Sequence, residues 1–167
     1  MMQNNWDEKI STFIQLASKH KVQMIMVGGG AVNFHGYQRH SADVDFWIST
    51  KDENLKNLLL VFKEMGYEID DFPKEVKEKR QNISVQFSPT DLDLELITNF
   101  SINKSFEQAF KDSVVACIEG TEVQKWNVLS YEDLITSKIK AGRPKDFLDI
   151  QQLNSIRNRS EHKGFRR

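Results

Sequence analysis

The chain of 167 residues has a single cysteine, Cys117. One thiol can form neither an internal disulfide nor a thiolate metal cluster. Its setting in the apolar run VVACI predicts a buried structural side chain rather than a nucleophile. No apolar run approaches the ~20 residues that span a bilayer. The opening MMQNNWDEKI lacks the basic-then-apolar pattern of a secretory signal. The expectation is a cytoplasmic protein without a membrane partner. There is no G-x-G-x-x-G fingerprint, which argues against a dinucleotide-binding unit. Nor is there an aromatic-rich basic strand of the kind that reads nucleic-acid sequence.

What is present is ordinary for a globular domain: 39% hydrophobic and 28% charged residues. The length suits one domain with a real core. Residues 1–155 are expected to form that domain, with 156–167 a basic C-terminal tail. The net charge of −1 is unevenly spread. Residues 138–167 hold nine Lys/Arg against three acids, a local +6, which leaves −7 on the rest. A basic end beside an acidic body suits the phosphates of a nucleotide or a nucleic acid, or else is a solvated tail.

The stretch that organises the chain is VQMIMVGGGAVNFHGYQRHSADVDFWI, from Val22 to Ile48. Its apolar start reads as a strand covered on both faces. Gly28, Gly29 and Gly30 then turn into a short helix expected over Ala31 to His35, with Gly36 as its stop. Bare backbone N–H groups at such a turn, with the helix N-terminus behind them, can hold phosphate; tight connections also use glycine for steric reasons alone. Asp43 and Asp45 follow on the next strand. Residues i and i+2 share a face, so the two aspartates stand together while Val44, Phe46 and Ile48 turn to the core. Paired hard oxygen ligands suit Mg²⁺, which completes its shell with water and substrate phosphate. In the loop between, a guanidinium at Arg39 can grip phosphate bidentately or be a surface charge. His35 and His40 flank the turn; His35 reads as a structural hydrogen-bonder.

Elsewhere the periodicity predicts an amphipathic helix over residues 7–20 and a second helix N-capped by Thr50 and ending at Gly66. Residues 71–81 read as a charged loop or exposed turn. A half-buried strand is expected over 82–88, and DLDLELIT alternates Asp91, Asp93 and Glu95 against Leu92, Leu94 and Leu96. Phe106, Ala109 and Phe110 mark a short helix. A hairpin over Val114–Ile118 and Glu122–Val128 turns at Glu119-Gly120. Ser130 caps a helix stopped by Gly142, and Pro144 starts another with Phe147, Leu148, Ile150 and Leu153 as its apolar face.

The block GGGAVNFHGYQRHSADVDFWI resembles the signature of the DNA polymerase β-type nucleotidyltransferase superfamily, a glycine pair followed at a distance by Asp-x-Asp. More narrowly it resembles small bacterial nucleotidyltransferases of the minimal or AbiEii-like kind, with GG-x-A-x-x-x-HG-x-x-R ahead of the acids. The likeness runs roughly from Ile10 to Leu153 and returns in KAGRPKDFLDIQQL. It implies an α/β (α+β) fold: a mixed twisted sheet of four to six strands, helices mostly on one side, and C-terminal helices closing the cleft. It implies Mg²⁺-dependent transfer of a nucleoside monophosphate from a triphosphate such as ATP, with two ions held by Asp43, Asp45 and a third carboxylate on the neighbouring strand. Asp93 and Glu95 compete for that third place, the family pattern leaning to Asp93. Gly28, Gly29, Arg39 and Lys138 would bind the nucleotide, and Asp146 and Asp149 would make structural ion pairs. Members act on small molecules, tRNA or proteins, so the acceptor stays open. A non-catalytic nucleotide-binding or toxin–antitoxin partner on the same fold is the alternative.

Overall fold

The structure, a computed structural model, describes residues 8–41, 43–89, 92–119 and 124–164. Four expectations fall partly outside these residues: the start of the first helix at residue 7, the acidic alternation at Asp91, the hairpin turn at Gly120 with the strand start at Glu122 and Val123, and the end of the basic tail at 165–167. In chain order the elements are α1 (Glu8–Lys19), β1 (Met24–Val27), α2 (Gly28–Phe34), β2 (Asp43–Ile48), α3 (Asp52–Glu64), α4 (Lys74–Lys77), β3 (Ile83–Val85), β4 (Asp93–Ile97), α5 (Phe106–Asp112), β5 (Val114–Ile118), β6 (Gln124–Val128), α6 (Tyr131–Ala141) and α7 (Pro144–Gly164). The six strands form one mixed sheet in the order β3-β4-β2-β1-β6-β5. β1 runs antiparallel to β2 and parallel to β6, while β2 and β4 run parallel. The fold is the expected mixed α/β architecture.

Period-two alternation assigns the two faces of β2. Phe46 is fully buried and meets Phe13 of α1 at 6.2 Å between ring centroids. Phe13 in turn meets Phe62 of α3 at 5.9 Å. Leu94 and Leu96 of β4 are likewise fully buried. Trp47 points the other way, against Phe100 at 5.3 Å and Phe106 of α5 at 5.2 Å. Helices therefore lie on both faces of the sheet rather than mostly on one. The second face is roofed by aromatics over the carboxyl-terminal half of β2. Its amino-terminal half carries Asp43, exposed, and Asp45, half-buried.

Several local readings change in the folded chain. α2 begins at the glycines themselves rather than at Ala31, because Gly28 already adopts the left-handed φ of 62° that turns the strand into the helix. Thr50 does not cap α3; Lys51 holds the cap position with no side-chain bond. That junction is fixed instead by buried Asn54, whose amide donates to the carbonyls of Gln23 (3.0 Å) and Ser49 (2.8 Å) and accepts from the Gln23 N–H (2.7 Å). Asp52 and Glu53 in the first turn complement the helix dipole. Cys117 is exposed, since β5 is an edge strand on which only Ala116 is buried. On α7 Phe147 and Leu148 face outward, and the buried face is Asp146, Asp149 and Leu153. Ion pairing there replaces the apolar packing that the spacing suggested. At Ser130 the expected cap is present: its Oγ accepts from the Asp133 N–H at 3.1 Å, and Gly142 closes α6 with φ 64°.

Candidate active site

The glycine turn and the acidic pair meet where β1 leaves the sheet and β2 enters it. Antiparallel register sets Val27, the last residue of β1, beside Asp45. Gly28 follows, and a Cβ built on it would stand 2.5 Å from Asp45 Oδ2, so no other residue fits without moving the carboxylate. A Cβ on Gly29 would stand 2.7 Å from Ser41 Oγ. The elbow is bare because carboxylate and hydroxyl press against its backbone.

The parallel register of β2 and β4 sets Asp43 beside Asp93 and Asp45 beside Glu95. Adjacent strands lie ~4.8 Å apart and partners share a face, so four carboxylates occupy one patch of the sheet. Electrostatics distinguishes them. Burial, then the charge of Asp43, then that of Glu95 push the Asp45 carboxyl up to about 6, with Lys138 and Lys145 opposing. Glu95 also accepts a hydrogen bond from Ser84 Oγ on β3 at 2.5 Å. Such crowding of like charge is what a bound cation relieves.

The two cations expected at the nucleotide are held from behind. Asp149, 2% exposed, accepts from Arg39 Nη2 at 3.0 Å; Arg39 Nε also lies 3.0 Å from it but out of line for a hydrogen bond. Lys138, 5% exposed, lies 3.0 Å from Asp149 and 3.4 Å from Asp146. Arg143 binds Asp146 through both its backbone N–H and its guanidinium. Arg39 Nη1 still reaches the elbow, 3.8 Å from where Gly29 would carry a Cβ. Lys138 sits close enough to Asp45 to offset its negative surroundings.

His35 serves the scaffold. Its Nε2 lies 2.7 Å from the Leu129 carbonyl, and burial lowers its pKa, which makes the neutral ring the donor there. His40 is exposed. Ser84, Ser41 and Lys145 were not singled out by pattern. Ser84 was legible in principle, as the polar position between Ile83 and Val85 on a strand flanking the acids; Lys145 stands inside the stretch KAGRPKDFLDIQQL, where nothing separates it from the neighbouring charges.

Mg²⁺ takes one or two carboxylates and leaves the rest of its shell to water and phosphate. Asp43 and Asp45, hard donors in an acidic patch beside the glycine elbow, fit that demand. Among the described residues no three His, Cys, Asp or Glu side chains already close into a metal-holding group.

A mixed α/β sheet with paired carboxylates opposite a glycine elbow defines a nucleotidyltransferase-like protein. The model of a family described as nucleotidyltransferase of unknown function (DUF6036) matches residues 5–160, and the chain belongs to that family. No curated protein matches it. No helix among the described residues is long and apolar enough to cross a membrane.

Proposed function

We propose that the protein transfers a nucleoside monophosphate from a nucleoside triphosphate to an acceptor hydroxyl, as a member of the polymerase β-type, minimal or AbiEii-like group. The observation that carries this reading is the contact of the Gly28 elbow with Asp45 in a patch that also holds Asp43 and Glu95. The phosphates lie against the N–H groups at Gly28 and Gly29, whose small size lets an anion approach the backbone. Asp43 and Asp45 hold divalent metal. We place Glu95 rather than Asp93 as the third carboxylate, because the register sets Glu95 directly beside Asp45, where its charge helps to raise the Asp45 pKa. Bound Mg²⁺, two ions by the family likeness, would neutralise phosphate charge and favour in-line displacement.

Glu95 is steadied by Ser84 and takes the proton of the acceptor hydroxyl. The acceptor oxygen forms its bond to the α-phosphorus as the α–β bridging bond breaks, and pyrophosphate leaves with that electron pair. Arg39 and Lys138, fixed by Asp149, supply positive charge along the phosphate path. The acceptor is a small molecule, a tRNA or a protein.

A second reading, a non-catalytic nucleotide-binding or toxin–antitoxin partner protein, draws on the same pairing: both cations already have a carboxylate partner. Thermal shift separates the readings at the binding step. Any of ATP, GTP, CTP or UTP with Mg²⁺ that binds must raise the melting temperature, by RT ln(1 + [L]/Kd) in free energy. The shift is expected for the wild type and not for Asp43→Asn. No shift with any of the four would refute the nucleotide site, and a shift without turnover would favour the partner reading.

A further inference from the structure

The parallel strands β2 and β4 start at the carboxylates and end, at Ile48 and Ile97, on a different cavity of about 210 Å³. In open α/β sheets the crevice outside the carboxyl ends of parallel strands is the favoured ligand position. Around this one stand Lys51, Lys79 and Lys104, the hydroxyls of Thr50 and Ser105, and a single acid, Glu107. One wall is the aromatic group of Trp47, Phe100 and Phe106. An excess of positive charge in the lining, against a low-dielectric wall, focuses the field on an incoming anion.

The backbone is also unusual there. Among the described residues three non-glycine positions have positive φ: Lys21, Lys79 at 61° and Asn103 at 64°. Lys79 lines the cavity and Asn103 directly precedes Lys104. Left-handed backbone at non-glycine residues costs free energy and gathers at ligand sites.

The lysines are not idle. Lys51 lies 3.2 Å from Glu107 in a pair exposed on both sides, and Lys104 binds Asp112 at 2.8 Å and Asp133 at 3.0 Å. An exposed pair such as Lys51–Glu107 is worth little and gives way to a better anion. The volume is below the ~300–1,000 Å³ of sites for drug-sized ligands, which excludes a whole nucleoside triphosphate.

We propose that this cavity binds a phosphate dianion, free or as the terminal phosphomonoester of a small molecule, at a site separate from the Asp43 and Asp45 carboxylates. Lys79 and Lys51 supply the charge, Thr50 and Ser105 the hydroxyl donors, and the Trp47 wall excludes water from one side. The site is independent of the nucleotidyl-transfer reading and stands whether or not that reading holds.

The test is an amide NMR titration of the full chain with inorganic phosphate and, separately, with glycerol 3-phosphate, at constant ionic strength. Saturable shifts are expected at Thr50, Lys51, Lys79 and Ser105, with affinity in about the millimolar range. Lys79→Gln and Lys51→Gln, both at exposed positions, should each weaken binding by about tenfold, the loss of one charge-assisted bond. Asp43→Asn should bind as the wild type does. Saturation by phosphate alone assigns the site to the free anion, and by glycerol 3-phosphate alone to a monoester. Shifts that never saturate, unchanged affinity in both lysine variants, or loss of binding in Asp43→Asn would overturn the proposal.

Discussion

Replacing Asp45 by asparagine should make the metal-free protein more stable while abolishing turnover. The Asp45 carboxyl titrates at about 6 in the fold against 3.8 for the ordinary group, chiefly because burial and the charges of Asp43 and Glu95 disfavour its ionised form. A shift of about two units corresponds to about 2–3 kcal/mol of penalty carried by the folded state at neutral pH. The sign follows from proton counts: between pH 4 and 6 the folded state binds more protons than the unfolded chain, so stability falls as pH rises through that window and is level above it. Asparagine keeps the shape and removes the charge. Urea unfolding in EDTA at pH 7.5 should therefore place Asp45→Asn above the wild type by about 1–3 kcal/mol, a melting-temperature gain of roughly 3–10 °C for a chain of this size. Only at about pH 3 and lower, below both values, is the wild-type carboxyl protonated in both states, and there the difference should vanish. A destabilised Asp45→Asn at pH 7.5, or a gap that does not close on acidification, would refute the electrostatic picture of the site.

Gly28→Ala forces a Cβ into left-handed backbone and against Asp45 Oδ2; it should cost about 1–3 kcal/mol by chemical denaturation and remove the nucleotide-induced thermal shift. Asp149→Ala leaves buried Lys138 and half-buried Arg39 without their shared carboxylate and should cost about 3 kcal/mol, read from the denaturation midpoint. Ser130→Ala removes the α6 cap and should cost about 1 kcal/mol without altering nucleotide binding, a control for stability loss away from the carboxylates.

Much of this architecture is legible in the chain because local rules and tertiary demands coincide. The unbroken apolar run before Gly28 becomes β1, buried on both faces. Alternation alone puts Asp43 and Asp45 on one side of β2 and Phe46 on the other. Ser130 and Gly142 bracket α6 by cap chemistry. What pattern leaves open is register. Asp93 and Glu95 share a face whichever way β4 slides by two residues, and only the pairing of Asp45 with Glu95 gives them different neighbours. Arg39 and Asp149 are 110 positions apart, and no local signal marks them as partners. The same gap misled the reading of α7. Phe147, Ile150 and Leu153 follow one another at helical spacing, but buried ion pairs turn the helix to present Asp146 and Asp149 instead. Cys117 is apolar in context yet exposed, because a sequence does not announce which strand will be the edge.

The most direct measurement of nucleotidyl transfer is the fate of label from triphosphates carrying it at the α- or the γ-phosphorus, with Mg²⁺ and a panel of small-molecule, tRNA and protein acceptors. The wild type should move α-label to acceptor and release γ-label in pyrophosphate, and Asp43→Asn and Asp45→Asn should move neither. Transfer of γ-label to acceptor, or equal α-labelling by wild type and the aspartate variants, would contradict the account.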